Sequence, residues 1–185
     1  MSIELKQKIR AAAKSAVRAL SITQKATSSE AIFRCVASLD KVRLATTVAL
    51  FSSLPDEPQT EKIITHLAAE RRVVLPRVDG EDMDFYLYAP SSADESGLLA
   101  SGAFGIAEPQ GNERVAPSEI DVIIVPGVAF TRDGVRCGRG RGYYDKYLSR
   151  ADFHAFKIGV CYACQIFDEI PAEPHDVRMD KVVAR

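Results

Sequence analysis

Residues 121–148 read DVIIVPGVAFTRDGVRCGRGRGYYDKYL, and their order decides the fold. The run VIIVP is a buried apolar strand of the kind that parallel sheets cover on both faces. It runs into a loop rich in glycine and arginine, and a helix starts near Tyr143. Gly138, Gly140 and Gly142 stand at alternate positions, where backbone N–H groups can come close to an anion. Arg136, Arg139 and Arg141 add positive charge, and the helix start adds the positive end of its dipole. Strand, cationic glycine loop and helix in that order build a polyphosphate site. The string is not a P-loop, because G-x-x-x-x-G-K-[ST] is absent. Nor is it the G-x-G-x-x-G dinucleotide fingerprint, because the third glycine comes one residue early.

Outward from this stretch, strands alternate with helices. Residues 3–20 predict a helix with apolar positions at Ile9, Ala13, Ala16 and Leu20. Its cations Lys6, Arg10, Lys14 and Arg18 are spaced by four and form one basic stripe, which on helical grounds alone faces water. Thr27 and Glu30 have capping-box spacing and announce a second helix through Ile32, Phe33 and Val36. The β-branched residues 46–51 predict a buried strand that ends in the loop SSLPDEPQT, whose prolines stop regular structure. Ile63, Ile64, Leu67 and Ala68 mark an amphipathic helix after Thr60, and short strands follow at residues 73–75 and 85–88. Residues 89–117 are long and carry Gly97, Gly102, Gly105 and Gly111, the pattern of a mobile lid or an irregular excursion. Beyond the glycine loop, Tyr144, Tyr147 and Leu148 mark a helix face and residues 156–161 a further strand. The expected class is α/β, a three-layer sandwich whose mainly parallel sheet is flanked by helices.

Bulk numbers bound the function. With 185 residues, 46% of them hydrophobic, the chain can bury a full core, and residues 1–185 are expected to form a single domain. Its 24 basic and 25 acidic residues nearly cancel, so wholesale attraction to nucleic acid or an acidic membrane is not indicated, and anion binding must come from local clustering. No apolar run approaches the roughly 20 residues of a membrane span, and the amino terminus lacks a signal-peptide core. A soluble cytoplasmic protein is expected. Cys35, Cys137, Cys161 and Cys164 then read as reduced thiols. The C-x-x-C at Cys161 lacks two further zinc ligands and sits in a strand-like run, so it reads as buried packing.

The strings VPGVAFTRDGVRCGRGRGYYDKYL, GIAEP at residues 105–109 and PHDVRMDKVV at residues 174–183 resemble 5-formyltetrahydrofolate cyclo-ligase, also called 5,10-methenyltetrahydrofolate synthetase. The amino-terminal Lys6 and Arg10 and the loop residues Asp56, Glu57 and Thr60 fit the same order. One departure is Arg141, where many members carry lysine; arginine is a rigid fork and lysine a mobile point charge. The resemblance implies ATP-dependent cyclisation of 5-formyltetrahydrofolate, with Mg²⁺, in a fold like that of the sugar-phosphate isomerase and CoA-transferase group. It assigns ATP contacts to Lys6, Arg10, Arg136, Gly138, Arg139, Gly140, Arg141, Gly142, Tyr143 and Tyr144, and catalysis to Arg139, Arg141 and Tyr144. Glu57 becomes the acceptor for the pterin N–H donors, with Ser52 and Phe104 as further substrate contacts, and Phe104 placed to stack on the ring. Asp145 and Asp176 become the magnesium carboxylates, in keeping with the oxygen ligands that Mg²⁺ takes. The expected partner is the small-molecule folate alone, with no nucleic acid or membrane, and the chain a monomer or weak homodimer. Two rivals are a catalytically silent paralogue that binds ATP or folate, and an isomerase or transferase of the related fold.

Overall fold

The computed structural model describes residues 2–89, 99–101, 107–109 and 113–185. It opens with helices α1 (Ser2–Ala19), α2 (Ile22–Ala37) and the one-turn α3 (Asp40–Arg43), followed by β1 (Thr47–Ala49) and α4 (Glu61–Ala68). The hairpin β2 (Arg72–Asp79) and β3 (Asp82–Leu87) comes next, then β4 (Leu99–Ser101), β5 (Ala107–Pro109) and β6 (Arg114–Val115). The last part holds β7 (Val122–Pro126), β8 (Ala129–Phe130), β9 (Arg136–Cys137), α5 (Tyr143–Leu148), β10 (Phe156–Cys161) and β11 (Lys181–Ala184).

Seven strands make one sheet in the order β11-β10-β7-β1-β2-β3-β6. Neighbours from β11 to β2 run parallel, whereas β3 and β6 join as antiparallel edge strands. The period of two along each strand sorts the side chains to opposite faces. Val48, Leu50, Val73, Leu75, Val122 and Ile124 pack on one face with Ile32, Phe33 and Val36 of α2 and Ile63, Ile64 and Leu67 of α4. Ala49, Val74, Ile123 and Val125 point the other way, against Tyr147 and Leu148 of α5 and against Phe153. The result is the three-layer α/β arrangement that the alternating pattern implied.

Helix α1 is seated on the β8–β9 hairpin rather than on the sheet alone: Ile9 and Ala13 pack with Val128, Ala129, Val135 and Cys137. Lys6 extends that same stripe by one turn and is only 6% exposed. The basic stripe is thereby split, since Arg18 is exposed and Lys6 is not.

Two local readings shift. The capping box of α2 is formed by Ser21 and Gln24, with Ser21 Oγ accepting the Gln24 N–H at 3.1 Å and Gln24 Oε1 accepting the Ser21 N–H at 2.8 Å. Thr27 and Glu30 have the same spacing but lie inside the helix, where backbone N–H groups already bond the preceding turn and offer nothing to cap. The strand at residues 46–51 is regular only over Thr47–Ala49, although Leu50 still donates to the Val74 carbonyl at 3.0 Å and Phe51 stays buried. All four cysteines are thiols, Cys137 and Cys161 buried, Cys35 and Cys164 partly so. No helix among the described residues is long and apolar enough to cross a membrane.

Candidate active site

Strand β1 is where the sheet changes direction: the chain leaves it toward β2 on one side, and β7 later pairs on the other. Loops leaving the carboxyl ends of two such strands diverge and open a crevice between them. A cleft of about 920 Å³ lies there, lined by Ser52 and Glu57 from the loop after β1, by Gly127 after β7 and by the whole run 136–145.

Glu57 forms one wall. It is 5% exposed, its Oε2 accepts the Leu54 N–H at 3.0 Å, and its carbonyl accepts the Tyr162 hydroxyl at 2.9 Å. Burial pushes its carboxyl above the ordinary glutamate range, against the opposing pull of Arg139 and the Leu54 N–H. Arg139 Nε and Nη2 donate to Glu57 Oε1 at 3.1 and 2.9 Å, and Nη1 donates to Asp56 Oδ2 at 3.2 Å. Burial works against the guanidinium's charge, but these two acids outweigh it and raise its pKa.

The glycine loop lines the same cleft. Gly140 and Gly142 have φ of 96° and 74°, in the left-handed region that costs glycine little, so the chain can curl and turn into α5. Arg10 fastens the loop from below, its Nε donating to the Gly138 carbonyl at 2.8 Å. Arg136 lies deeper: with its side chain 4% exposed, it donates to Asp145 Oδ2 at 2.7 Å and to the Pro126 carbonyl at 3.3 Å. Its guanidinium stands 5.5 Å from the centre of the Tyr144 ring. Burial drives the Tyr144 hydroxyl well above the usual tyrosine range, so it stays protonated and able to donate at neutral pH.

An acidic corner closes the cleft. Lys6 Nζ donates to Asp176 Oδ2 at 2.7 Å and to Glu173 Oε2 at 3.1 Å, and the Glu173 N–H also bonds Asp176 Oδ2 at 2.7 Å. Burial opposes ionisation of Asp176, yet the Lys6 and Glu173 hydrogen bonds prevail and hold its pKa below the ordinary value. Glu173, His175 and Asp176 offer ligand atoms within 4.8 Å of one another. Asp145 reaches the same corner through the Val177 N–H, which its Oδ1 accepts at 3.4 Å.

Lys6, Arg10, Ser52, Glu57, Arg136, Gly138, Arg139, Gly140, Arg141, Gly142, Tyr143, Tyr144, Asp145 and Asp176 all line this one cleft. Phe104 lies outside the described residues. Glu173 also lines the cleft; its only sequence signal is its place three residues before Asp176, the spacing of a side-chain-capped turn. Asp56, in sequence only a member of the loop motif, is a partner of Arg139; a second carboxylate beside Glu57 is the signal the sequence offers. The apolar lining from Phe51, Leu54, Pro76, Val78 and Met83 has no sequence signature, because those positions look like ordinary strand residues.

A mainly parallel α/β sheet whose cationic glycine loop and buried carboxylate meet at its switch point defines a protein with a ligand cleft at the carboxyl ends of its strands. The chain belongs to the 5-formyltetrahydrofolate cyclo-ligase family, whose model matches residues 2–185. It is 29% identical over 187 residues to the 5-formyltetrahydrofolate cyclo-ligase of Mus musculus, covering 96% of this chain and 92% of that one. The Mycolicibacterium smegmatis protein of the same name is 36% identical over 140 residues, 74% of this chain and 72% of its own. Among solved structures, the Aquifex aeolicus 5,10-methenyltetrahydrofolate synthetase superposes with a TM-score of 0.85 at 34% identity, covering 97% of this chain and 89% of that one.

Proposed function

We propose that the protein catalyses ATP-dependent cyclisation of 5-formyltetrahydrofolate to 5,10-methenyltetrahydrofolate, releasing ADP and phosphate. The observation that carries the reading is that Glu57 and the cationic loop 138–142 line one cleft, in a chain of this family. The N5 formyl group is an amide, and its oxygen is a poor leaving group. Attack of that oxygen on the γ-phosphorus expels ADP and gives an iminium phosphate. N10 then adds to the activated carbon, phosphate departs, and N10 loses its proton.

Such chemistry asks mainly for in-line placement and neutralised oxygens. Arg10, Arg136 and Arg141 surround the phosphate end, Arg139 stands between it and the Asp56–Glu57 pair, and Lys6 stands at its acidic corner. Tyr144, held protonated, is a hydrogen-bond donor for a developing oxyanion. Glu57 accepts from the pterin ring and amino N–H groups, with the apolar wall of Phe51, Leu54 and Val78 against the ring and Ser52 at the rim; Phe104 is proposed as a further ring contact. Asp145 and Asp176 are the proposed Mg²⁺ carboxylates, with Glu173 close to Asp176; all three are hard oxygen donors of the type Mg²⁺ takes. When bound, Mg²⁺ supplies charge neutralisation at the phosphate oxygens. The reading further implies a single-domain cytoplasmic enzyme, a monomer or weak homodimer, acting on small molecules without nucleic acid or membrane partners.

The test is direct: purified protein incubated with 5-formyltetrahydrofolate and MgATP develops the near-ultraviolet band of the methenyl product. Absence of that band, with intact fold by circular dichroism, overturns the proposal.

A further inference from the structure

Arg139 spends four of its five N–H donors on two neighbouring acids. Nε and one Nη2 hydrogen go to Glu57 Oε1, the other Nη2 hydrogen reaches Asp56 Oδ1, and Nη1 donates to Asp56 Oδ2. Glu57 is correspondingly committed. Oε1 accepts twice from Arg139 and Oε2 once from Leu54, so of about four acceptor sites on a carboxylate the open one is on Oε2. A heterocycle with adjacent ring and amino N–H groups needs one acceptor site on each oxygen. It cannot be seated by Glu57 while Arg139 keeps both of its bonds.

Arg139 is also the central side chain of the loop 138–142, between Gly138 and Gly140, on the wall of the same cleft. Glycine on either side leaves no side chain at the two adjacent positions, and Gly140 is in the left-handed region. Resting on the functional reading above, we infer that Arg139 is exchanged between the two substrates: Asp56 and Glu57 hold it on the folate side until the pterin donors take Glu57 Oε1, and the released guanidinium then engages the triphosphate. Asp56 is thus a positioning residue that sets how readily Arg139 leaves. Nucleotide bound alone lacks this cation, which disfavours phosphoryl transfer to water before the formyl acceptor has arrived.

Calorimetric titration of the full chain with Mg²⁺ and a non-hydrolysable ATP analogue, with and without saturating 5-formyltetrahydrofolate, tests the exchange. For the parent protein the analogue binds about tenfold more tightly with folate present, within the usual range for coupled sites. Arg139→Gln keeps the folate-free affinity and loses the gain. Asp56→Asn, with one hold removed and Arg139 intact, binds the analogue more tightly than the parent when folate is absent, which a merely structural role for Asp56 does not produce. The exchange is overturned if the parent shows no gain, if Arg139→Gln weakens binding equally with and without folate, or if Asp56→Asn leaves the folate-free affinity at or below the parent value. Turnover to methenyl product is measured separately, so a parent protein that binds without turning over counts against the functional reading and not against the exchange.

Discussion

Arg136 and Asp145, nine residues apart, form a largely buried ion pair at 2.7 Å, with side-chain exposures of 4% and 18%. The pair carries the carboxylate from the first turn of α5 to the acidic corner, where Asp145 Oδ1 also meets the Val177 N–H. Asp145 thus lines the cleft with its carboxylate held by Arg136 and the Val177 N–H.

Asp145→Asn is accordingly expected to raise the Mg²⁺ concentration for half-maximal turnover by about 10- to 100-fold or more, the cost typical of losing even an outer-shell partner of a metal site. Folate affinity measured without nucleotide stays near the parent value. A magnesium titration of turnover checks this, and a parental curve removes Asp145 from metal binding.

Glu57 leads to a pH dependence. Its carboxyl is raised above the ordinary 4.5 chiefly by burial, so as pH falls it takes up a proton earlier than an exposed glutamate and loses an acceptor. The kcat/KM for folate is expected to fall on the acid side with an apparent pKa above 4.5. Glu57→Gln removes that limb and lowers kcat/KM by roughly ten- to a hundredfold, as losing about 1.5–3 kcal/mol of charge-assisted hydrogen bonding implies. Steady-state rates in folate across pH decide it, and an unchanged acid limb in the variant assigns the titration elsewhere.

The hairpin that delivers Arg136 turns at Gly134, whose φ is 98° and where an added Cβ would lie 2.3 Å from the Met179 carbonyl oxygen. The same residue's carbonyl accepts the Met179 N–H at 2.8 Å, so backbone meets backbone and neither side can yield cheaply. Gly134→Ala should cost at least the about 1–3 kcal/mol of a strained residue. Urea denaturation measures it; a midpoint equal to the parent's would mean that the loop repacks at no cost.

Asp84 ties the antiparallel edge to the segment after α5, its Oδ1 accepting from Arg114 Nη2 at 3.0 Å and from Arg150 Nη1 at 2.5 Å. Burial opposes its charge, but the two arginines win and hold its pKa below the ordinary 3.8. A depressed acid pKa means that the unfolded chain binds the proton first. The stability from this group is therefore fully present above about pH 4 and drains away as pH falls through the lower folded value. Melting temperatures of parent and Asp84→Asn from pH 7 to pH 2.5 should converge at the acid end. A constant gap between the two curves excludes the ion pairs as its source.

Much of the architecture was legible along the chain. VIIVP became the interior strand β7, buried throughout; the apolar pattern after Thr60 became α4; and GRGRG led into a helix at Tyr143. These signals are local: strand and helix periods, prolines and glycines act on residues close in sequence. The misplaced capping box at Thr27 belongs with them, because the spacing was right and only the helix start decides which N–H groups need a cap.

What the sequence determined by itself was therefore the succession of strands and helices and the composition of the glycine loop, both set by short-range periodicity and backbone freedom. Tertiary structure alone decided which charge meets which. Lys6 finds Asp176 across 170 positions and Arg139 finds Glu57 across 82, because the order of the parallel strands gathers the amino-terminal helix, the loop after β1 and the carboxyl-terminal segment at one end of the sheet. Charge has no period along the chain, so equivalent lysines and arginines become distinguishable only when burial strips water from some of them and makes a partner obligatory.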